Sequence, residues 1–261
     1  MSAHITTRAG RAFRRFVGMA ATLALVGVVS AAAGAQTPRK HVLYVTHSAG
    51  FVHDVLPFSE TMMKELAAKA GWFDVTVTKD VALLTGDRLK DYDAVMFYTT
   101  GELPISDAQK ADLLAFVRNG KGFVGVHSAT DTFYKWPEYG ELIGGYFDEH
   151  PWHQMVTITV DDPRHPSTKH LGASFQIEDE IYQFKNWSRQ SSHVLLSLDP
   201  SSVDLARKGV HRTDKDFGIS WTRTSGKGRV FYTALGHREA VWKDPRFQQH
   251  LVEGLRWAIG N

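Results

Sequence analysis

HVLYVTHSAGFVHD, residues 41–54, passes from a nearly unbroken apolar run into a polar loop that carries two histidines, His47 and His53. An apolar run of six without alternation suits a strand buried on both faces, as in a parallel sheet. Outward from it the pattern repeats. Phe58 to Ala70 spaces Met62, Leu66 and Ala70 at four residues and stops at Gly71, which predicts an amphipathic helix. FDVTVT (73–78) alternates as a second strand, and DAVMFY (93–98) is a third that runs into Thr99-Thr100-Gly101. Ser106 with Gln109 forms a capping-box signature ahead of Leu113, Leu114 and Val117. Phe123 to Val126 is a fourth strand and ends at His127. This β-α-β-α-β order predicts an α/β, doubly wound, mostly parallel sheet with its site at the carboxyl ends of the strands.

Beyond residue 134 the chain is less regular. Strands are expected at Met155–Val160, Gln176–Phe184 and Val194–Leu198, as an insertion or sheet extension at the mouth of the site. Phe217–Thr222 and Arg229–Ala234 flank Ser225-Gly226-Lys227-Gly228 and predict a closing hairpin that delivers Gly236-His237 to the site. Asp244-Pro245 then starts a last helix with Phe247, Leu251, Leu255 and Ile259 on one face.

The first 35 residues differ in kind from the rest. They hold four arginines (Arg8, Arg11, Arg14, Arg15) and no acid, then an apolar stretch from Phe16 to Val29, then Ala33-Gly34-Ala35 as a small-x-small pattern. This reads as a secretory signal peptide cut after Ala35, with a membrane anchor as the alternative and the Sec and twin-arginine routes both open. The expected product, residues 36–261, is one domain outside the cytoplasm, periplasmic or secreted, with no stable membrane insertion. The whole chain has 30 basic and 28 acidic residues; without the leader's four arginines the balance is 26 to 28, so its charge offers no argument for nucleic acid. The chain has no cysteine, which excludes a catalytic thiol and a thiolate-bound metal. No GxxxxGK[ST] and no GxGxxG opening a helix is present, so nucleotide binding is disfavoured.

Histidine placement carries most of the chemical information. His47, His53, His127 and His237 follow predicted strands or lie in loops, and His150 and His153 sit in FDEHPWH. Loops on a rigid scaffold are where reacting groups are usually held. On a strand, Glu178 and Glu180 of EDE would share a face with Tyr182, and two like charges there would raise one carboxyl pKa; a solvated edge strand is the alternative.

THSAGFVHD, GFVGVHSATD, GGYFDEH, EDEIYQF and ALGHREAVW together resemble the ThuA-like (trehalose utilisation) family, over residues 40–261. That resemblance implies the class I glutamine amidotransferase-like fold, a flavodoxin-like sheet, and a role in carbohydrate catabolism. In amidotransferases a G-x-C turn carries the nucleophile and H-P-E supplies its partners. Here Gly125-Val126-His127 occupies the first pattern and His237-Arg238-Glu239 the second, so a glutaminase is not expected.

The expected catalytic set is His237 oriented by Glu239, with His127 and Glu180. The expected substrate-binding set is His47, His53, Thr99, Thr100, Trp136, His150, Trp152 and Tyr182. Trp136 and Trp152 enter because they lie beside Pro137 and Pro151 in polar stretches and so are expected to be exposed to a sugar's CH face. The alternative for His237-x-Glu239 is a relic that caps the last helical region. The expected ligand is a small-molecule carbohydrate, a disaccharide or a keto-sugar derivative, handled by His/carboxylate acid–base chemistry. A bound divalent metal is left open, on His150 with His153 or on His127 with His237 and a glutamate. A non-catalytic sugar- or partner-binding module and a metal-dependent hydrolase are the other readings.

Overall fold

A computed structural model describes residues 38–260; the expected signal peptide lies outside the described residues. The chain runs β1 (Lys40–Val45), α1 (Leu56–Ala70), β2 (Phe73–Thr78), α2 (Gly86–Leu89), β3 (Ala94–Phe97), α3 (Asp107–Arg118), β4 (Gly122–Val126), α4 (Pro137–Ile143) and β5 (Tyr146–Val160). It continues through β6 (Ser174–Lys185), β7 (His193–Leu198), β8 (Gly218–Ser225), β9 (Gly228–Thr233), α5 (Glu239–Lys243) and α6 (Pro245–Ile259). Local signals set these bounds where they are strong. The Ser106 side chain accepts from the Gln109 amide and Gln109 reaches back to the Ser106 amide, so α3 starts where its capping box predicts. Gly71 and Gly260 end α1 and α6 with positive φ, a conformation a Cβ would strain.

All nine strands form one sheet in the order β2-β1-β3-β4-β9-β8-β7-β5-β6. From β2 to β9 the pairings are parallel; from β9 to β6 they are antiparallel. The fold is therefore α/β with a mixed sheet, and the expectation of a mostly parallel one holds for only half of it. The reason lies in the connections. Helical crossovers permit parallel neighbours, whereas β8 and β9 are joined by the short Ser225–Gly228 turn, which allows only an antiparallel pair. The closing hairpin thus supplies β9 as a central strand, paired on its other side with β4.

Helices cover both faces of the central strands. Phe231 of β9 meets α6 at Gly254, where an added Cβ would lie 2.4 Å from the ring. Its neighbour Tyr232 points the other way and bonds Thr130 and the carbonyl of His127. The buried strands β1, β3 and β4 carry the apolar core, including Val42, Leu43, Val95, Met96, Phe123 and Val124. Burial of this kind stabilises at about 25 cal/mol per Å² of apolar area.

The antiparallel half curls back over the parallel half. Phe184 of β6 packs its ring 5.0 Å from that of Trp221 on β8 and 5.8 Å from that of Tyr232 on β9, although β6 is the far edge strand. This curl carries β6 to the carboxyl ends of β4 and β9. The β5–β6 pairing also shifts register between Phe147 and Glu149 and again between Glu149 and Trp152, irregularities of the kind that re-aim side chains. Both tryptophans expected at the surface are inside. Trp136 stacks on Tyr139 and Trp152 packs edge-on to Phe217 while donating to the carbonyl of Asp204. Burying so large an apolar ring outweighs the polarity of the flanking sequence, and for Trp152 the N–H is satisfied as well.

Among the described residues no helix is long and apolar enough to cross a membrane.

Candidate functional site

Three loops and one strand bring four side chains together: His53 after β1, His127 after β4, His237 after β9 and Glu180 on β6. One donor atom from each lies within 4.8 Å of the others. His127 sits at the strand-to-turn elbow with φ +46°, a strained value for a residue with a Cβ. Gly125, two residues earlier, makes room for the turn, since a Cβ there would come within 2.9 Å of Ile143 and Tyr232. The His127 ring is wholly buried, and Tyr182 lies over it with ring centroids 4.3 Å apart. Its Nδ1 is 2.6 Å from the carbonyl oxygen of Ala234. A carbonyl only accepts, so Nδ1 carries the proton and Nε2 faces the cluster.

His127 Nε2 lies 3.1 Å from Glu180 Oε2 and 3.2 Å from His237 Nδ1, and His237 Nδ1 is 3.2 Å from the same Glu180 oxygen. These three atoms form a nearly equilateral triangle. The other carboxylate oxygen, Oε1, faces His153 Nε2 at 3.1 Å, and His153 Nε2 is 3.0 Å from His150 Nδ1. On a regular strand residues three apart face opposite sides. The register shift between Glu149 and Trp152 brings His150 and His153 to one side, opposite Glu180. Both therefore belong to β5 and not to a loop.

The peptide that presents His237 is held on every side. The Gly236 amide donates to Asp179 Oδ2 at 2.7 Å, and its carbonyl accepts from Tyr98 at 3.1 Å and Trp242 at 2.8 Å. His237 itself is partly exposed and borders an open cleft of about 470 Å³ with Asp54, Val55 and Glu239.

Electrostatics sort the carboxylates in an unexpected way. Burial would raise the Glu180 pKa, but the neighbouring imidazoles of His127 and His237 outweigh it and hold it well below the usual carboxylate range. Glu178, expected to share a face with it so that one of the two carboxyl pKa values would rise, is exposed and 3.5 Å from Arg238. The acid that burial pushes up is Asp179, between them. For His237, burial pulls the imidazole down and Glu180 more than restores it, leaving it above its ordinary value. His53 is pushed down to about 3 by burial first and then by the neighbouring imidazoles His127 and His237.

Several expected site residues are engaged elsewhere. Glu239 does not orient His237; it pairs with Lys243 at 2.9 Å in the first turn of α5, and Glu180 stands where Glu239 was expected. His47 turns away to the carbonyl of Lys79. Thr99 is buried and bonds Thr132, while Thr100 bonds the Phe51 carbonyl and the Gly50 amide, so both hold loops instead of lining a pocket. The exposed apolar side chains near the cluster are Phe51 and Val52, with Phe51 edge-on to His53 at 4.9 Å. Sequence reasoning passed over Phe51 and Asp179; the signal for Phe51 was an aromatic in the Gly50–His53 loop.

The family described as trehalose utilisation, ThuA, matches residues 41–258. A thua-like protein from Bacteroides uniformis is 30% identical, with TM-score 0.73 over 86% of this chain and 93% of that one. A thua-like protein from Parabacteroides merdae is 20% identical, with TM-score 0.67 over 85% and 90%. A cytoplasmic protein from Salmonella typhimurium, 13% identical with TM-score 0.57 over 84% and 98%, shares the fold. No curated protein matches the sequence.

Proposed function

The chain belongs to the ThuA, trehalose-utilisation, family, and from that premise we propose that it is an exported enzyme of carbohydrate catabolism that acts on a disaccharide or keto-sugar derivative by proton transfer at the His153–Glu180 pair. One observation carries the reading: the two oxygens of this single buried carboxylate are divided between an inner wall, His127 and His237 on Oε2, and a half-exposed imidazole, His153 on Oε1.

A sugar carbonyl acidifies its neighbouring C–H. A base held in place can remove that proton and return it at the adjacent carbon, or let a leaving group depart, without any covalent adduct. His153 is the accessible base, and Glu180 fixes its ring. The inner wall of His53, His127 and His237 faces the sugar oxygen, and positive charge held there would polarise it. Phe51, 65% exposed beside His53, offers a flat apolar face for the sugar's C–H surface. The absence of any cysteine agrees with proton chemistry rather than thiolate chemistry.

Incubation of the purified protein with trehalose, other disaccharides and their keto derivatives, followed by NMR, tests this. Product that forms with the parent protein and falls at least about 100-fold with Glu180→Gln supports it. Sugar that stabilises the fold but is never consumed would reduce the protein to a binding module. Export is supported by the reading of residues 1–35, and a protein recovered from its host with an intact amino terminus would overturn that part.

A further inference from the structure

We infer that His53, His127, His237 and Glu180 form the binding site of one first-row divalent transition cation. The inference rests on the reading of this cluster as the active site and names what supplies the positive charge of its inner wall. Three observations bear on it independently.

The first is spacing. His127 Nε2, His237 Nδ1 and Glu180 Oε2 are 3.1, 3.2 and 3.2 Å from one another. A cation about 2.0–2.2 Å from nitrogen and oxygen donors holds neighbouring donors about 3.0–3.4 Å apart. The three atoms already have the separation that a shared ion imposes.

The second is proton bookkeeping. His127 spends its Nδ1 proton on Ala234, which leaves the Nε2 lone pair of the neutral ring directed at a carboxylate oxygen. His237 Nδ1 has at most one proton to offer two acceptors, Nε2 of His127 and Oε2 of Glu180. A buried triangle of acceptors so short of donors is costly unless a cation lies among them.

The third is His53. It is 4% exposed, its ring is 5.0 Å from His127 and 5.4 Å from His237, and its Nδ1 is buried without a hydrogen-bond partner. One ring nitrogen of His53 lies within 4.8 Å of a donor atom of each of the other three residues, so this buried, under-partnered imidazole is a fourth donor for the same ion.

The outer partners are those a metal site needs. A backbone carbonyl fixes the His127 tautomer, Asp179, Tyr98 and Trp242 fix the Gly236 peptide, and His153 fixes the free oxygen of Glu180. Three imidazoles with one carboxylate suit zinc, iron, cobalt or nickel over magnesium or calcium, which prefer all-oxygen shells. The His150–His153 pair is given no second ion in this assignment, because both rings are about two-fifths exposed and water can satisfy their nitrogens.

The test is cation binding, measured apart from turnover. Full-length protein is treated with chelator, checked for folding by circular dichroism, and titrated with Zn²⁺ by calorimetry and with Co²⁺ by visible absorption. One equivalent per chain is expected, with a raised Tm. Glu180→Gln and His237→Gln should each weaken binding by more than the roughly 10–100-fold that loss of an outer hydrogen-bonding partner costs. His193→Ala, an exposed histidine paired with Asp162, should leave it unchanged. No binding by the folded protein, or binding unaltered in both cluster variants, overturns the inference. A sugar screen that yields no product removes the proposed function and leaves a measured one-to-one site standing, so the two readings fail separately.

Discussion

His153 on β5 and Glu180 on β6 are direct cross-strand partners, and the imidazole Nε2 meets the carboxylate Oε1 at 3.1 Å. Cross-strand neighbours on one face sit within side-chain reach, and a buried carboxylate then fixes the ring of its half-exposed partner. If His153 moves the proton, His153→Ala lowers kcat by about 100-fold or more and changes KM little. Because the ring is half-exposed, Tm should stay nearly unchanged. Steady-state kinetics with a thermal melt checks both; a loss confined to KM would assign His153 to binding.

Glu239 supplies the contrasting case. Its carboxylate pairs with Lys243 at i,i+4, and both side chains are more than half exposed. Such helix pairs are worth about 0.3–0.5 kcal/mol. Glu239→Gln should therefore leave kcat within about twofold of the parent and Tm within measurement error. A large fall in kcat would restore Glu239 to the proton path in place of Glu180.

Phe51 offers a third test. It stands exposed beside His53 and makes no hydrogen bond with its side chain. A platform that binds ground and transition states alike affects KM alone. Phe51→Ala should raise KM for a sugar several-fold with kcat constant, whereas Trp152→Ala, which opens a core site, should cost about 3–5 kcal/mol of stability.

How much of this was readable beforehand follows from what is local and what is not. The capping box at Ser106 and Gln109 depends on four consecutive residues, and the apolar run 41–46 on one strand, so both were legible. Glu180 and Tyr182 were legible as same-face partners because a strand alternates, and both meet His127. The segment YFDEHPWHQ was not, because two register shifts and Pro151 break the alternation that marks a strand. Its extension of β5 back to Tyr146 is a tertiary result of pairing with β6. The same holds for Glu180 replacing Glu239, which depends on the curl of the sheet and on no spacing within the chain.

A last prediction concerns acid stability and a histidine far from the cluster. His250 on α6 is fully buried, its Nδ1 donates to the Ser167 carbonyl at 2.9 Å and its Nε2 has no partner. Phe231 packs against the ring at 5.1 Å, and the ionisable groups acting on it are His170 and His165. Burial foremost pushes its pKa down to about 3, so the folded protein keeps the ring neutral where the unfolded chain, near 6.5, would take a proton. Above about pH 7 neither state binds the proton and the group has no effect. As pH falls below 6.5 the unfolded state binds it first, and stability drops by about 1.4 kcal/mol per pH unit until the folded pKa is reached. Between about pH 6.5 and 5 that amounts to about 2 kcal/mol. His250→Leu loses the Ser167 bond and is less stable at pH 7, but its stability should fall less steeply on acidification. Urea unfolding of both proteins at pH 7, 6 and 5 measures the two slopes, and parallel curves would show that His250 is not held neutral by the fold.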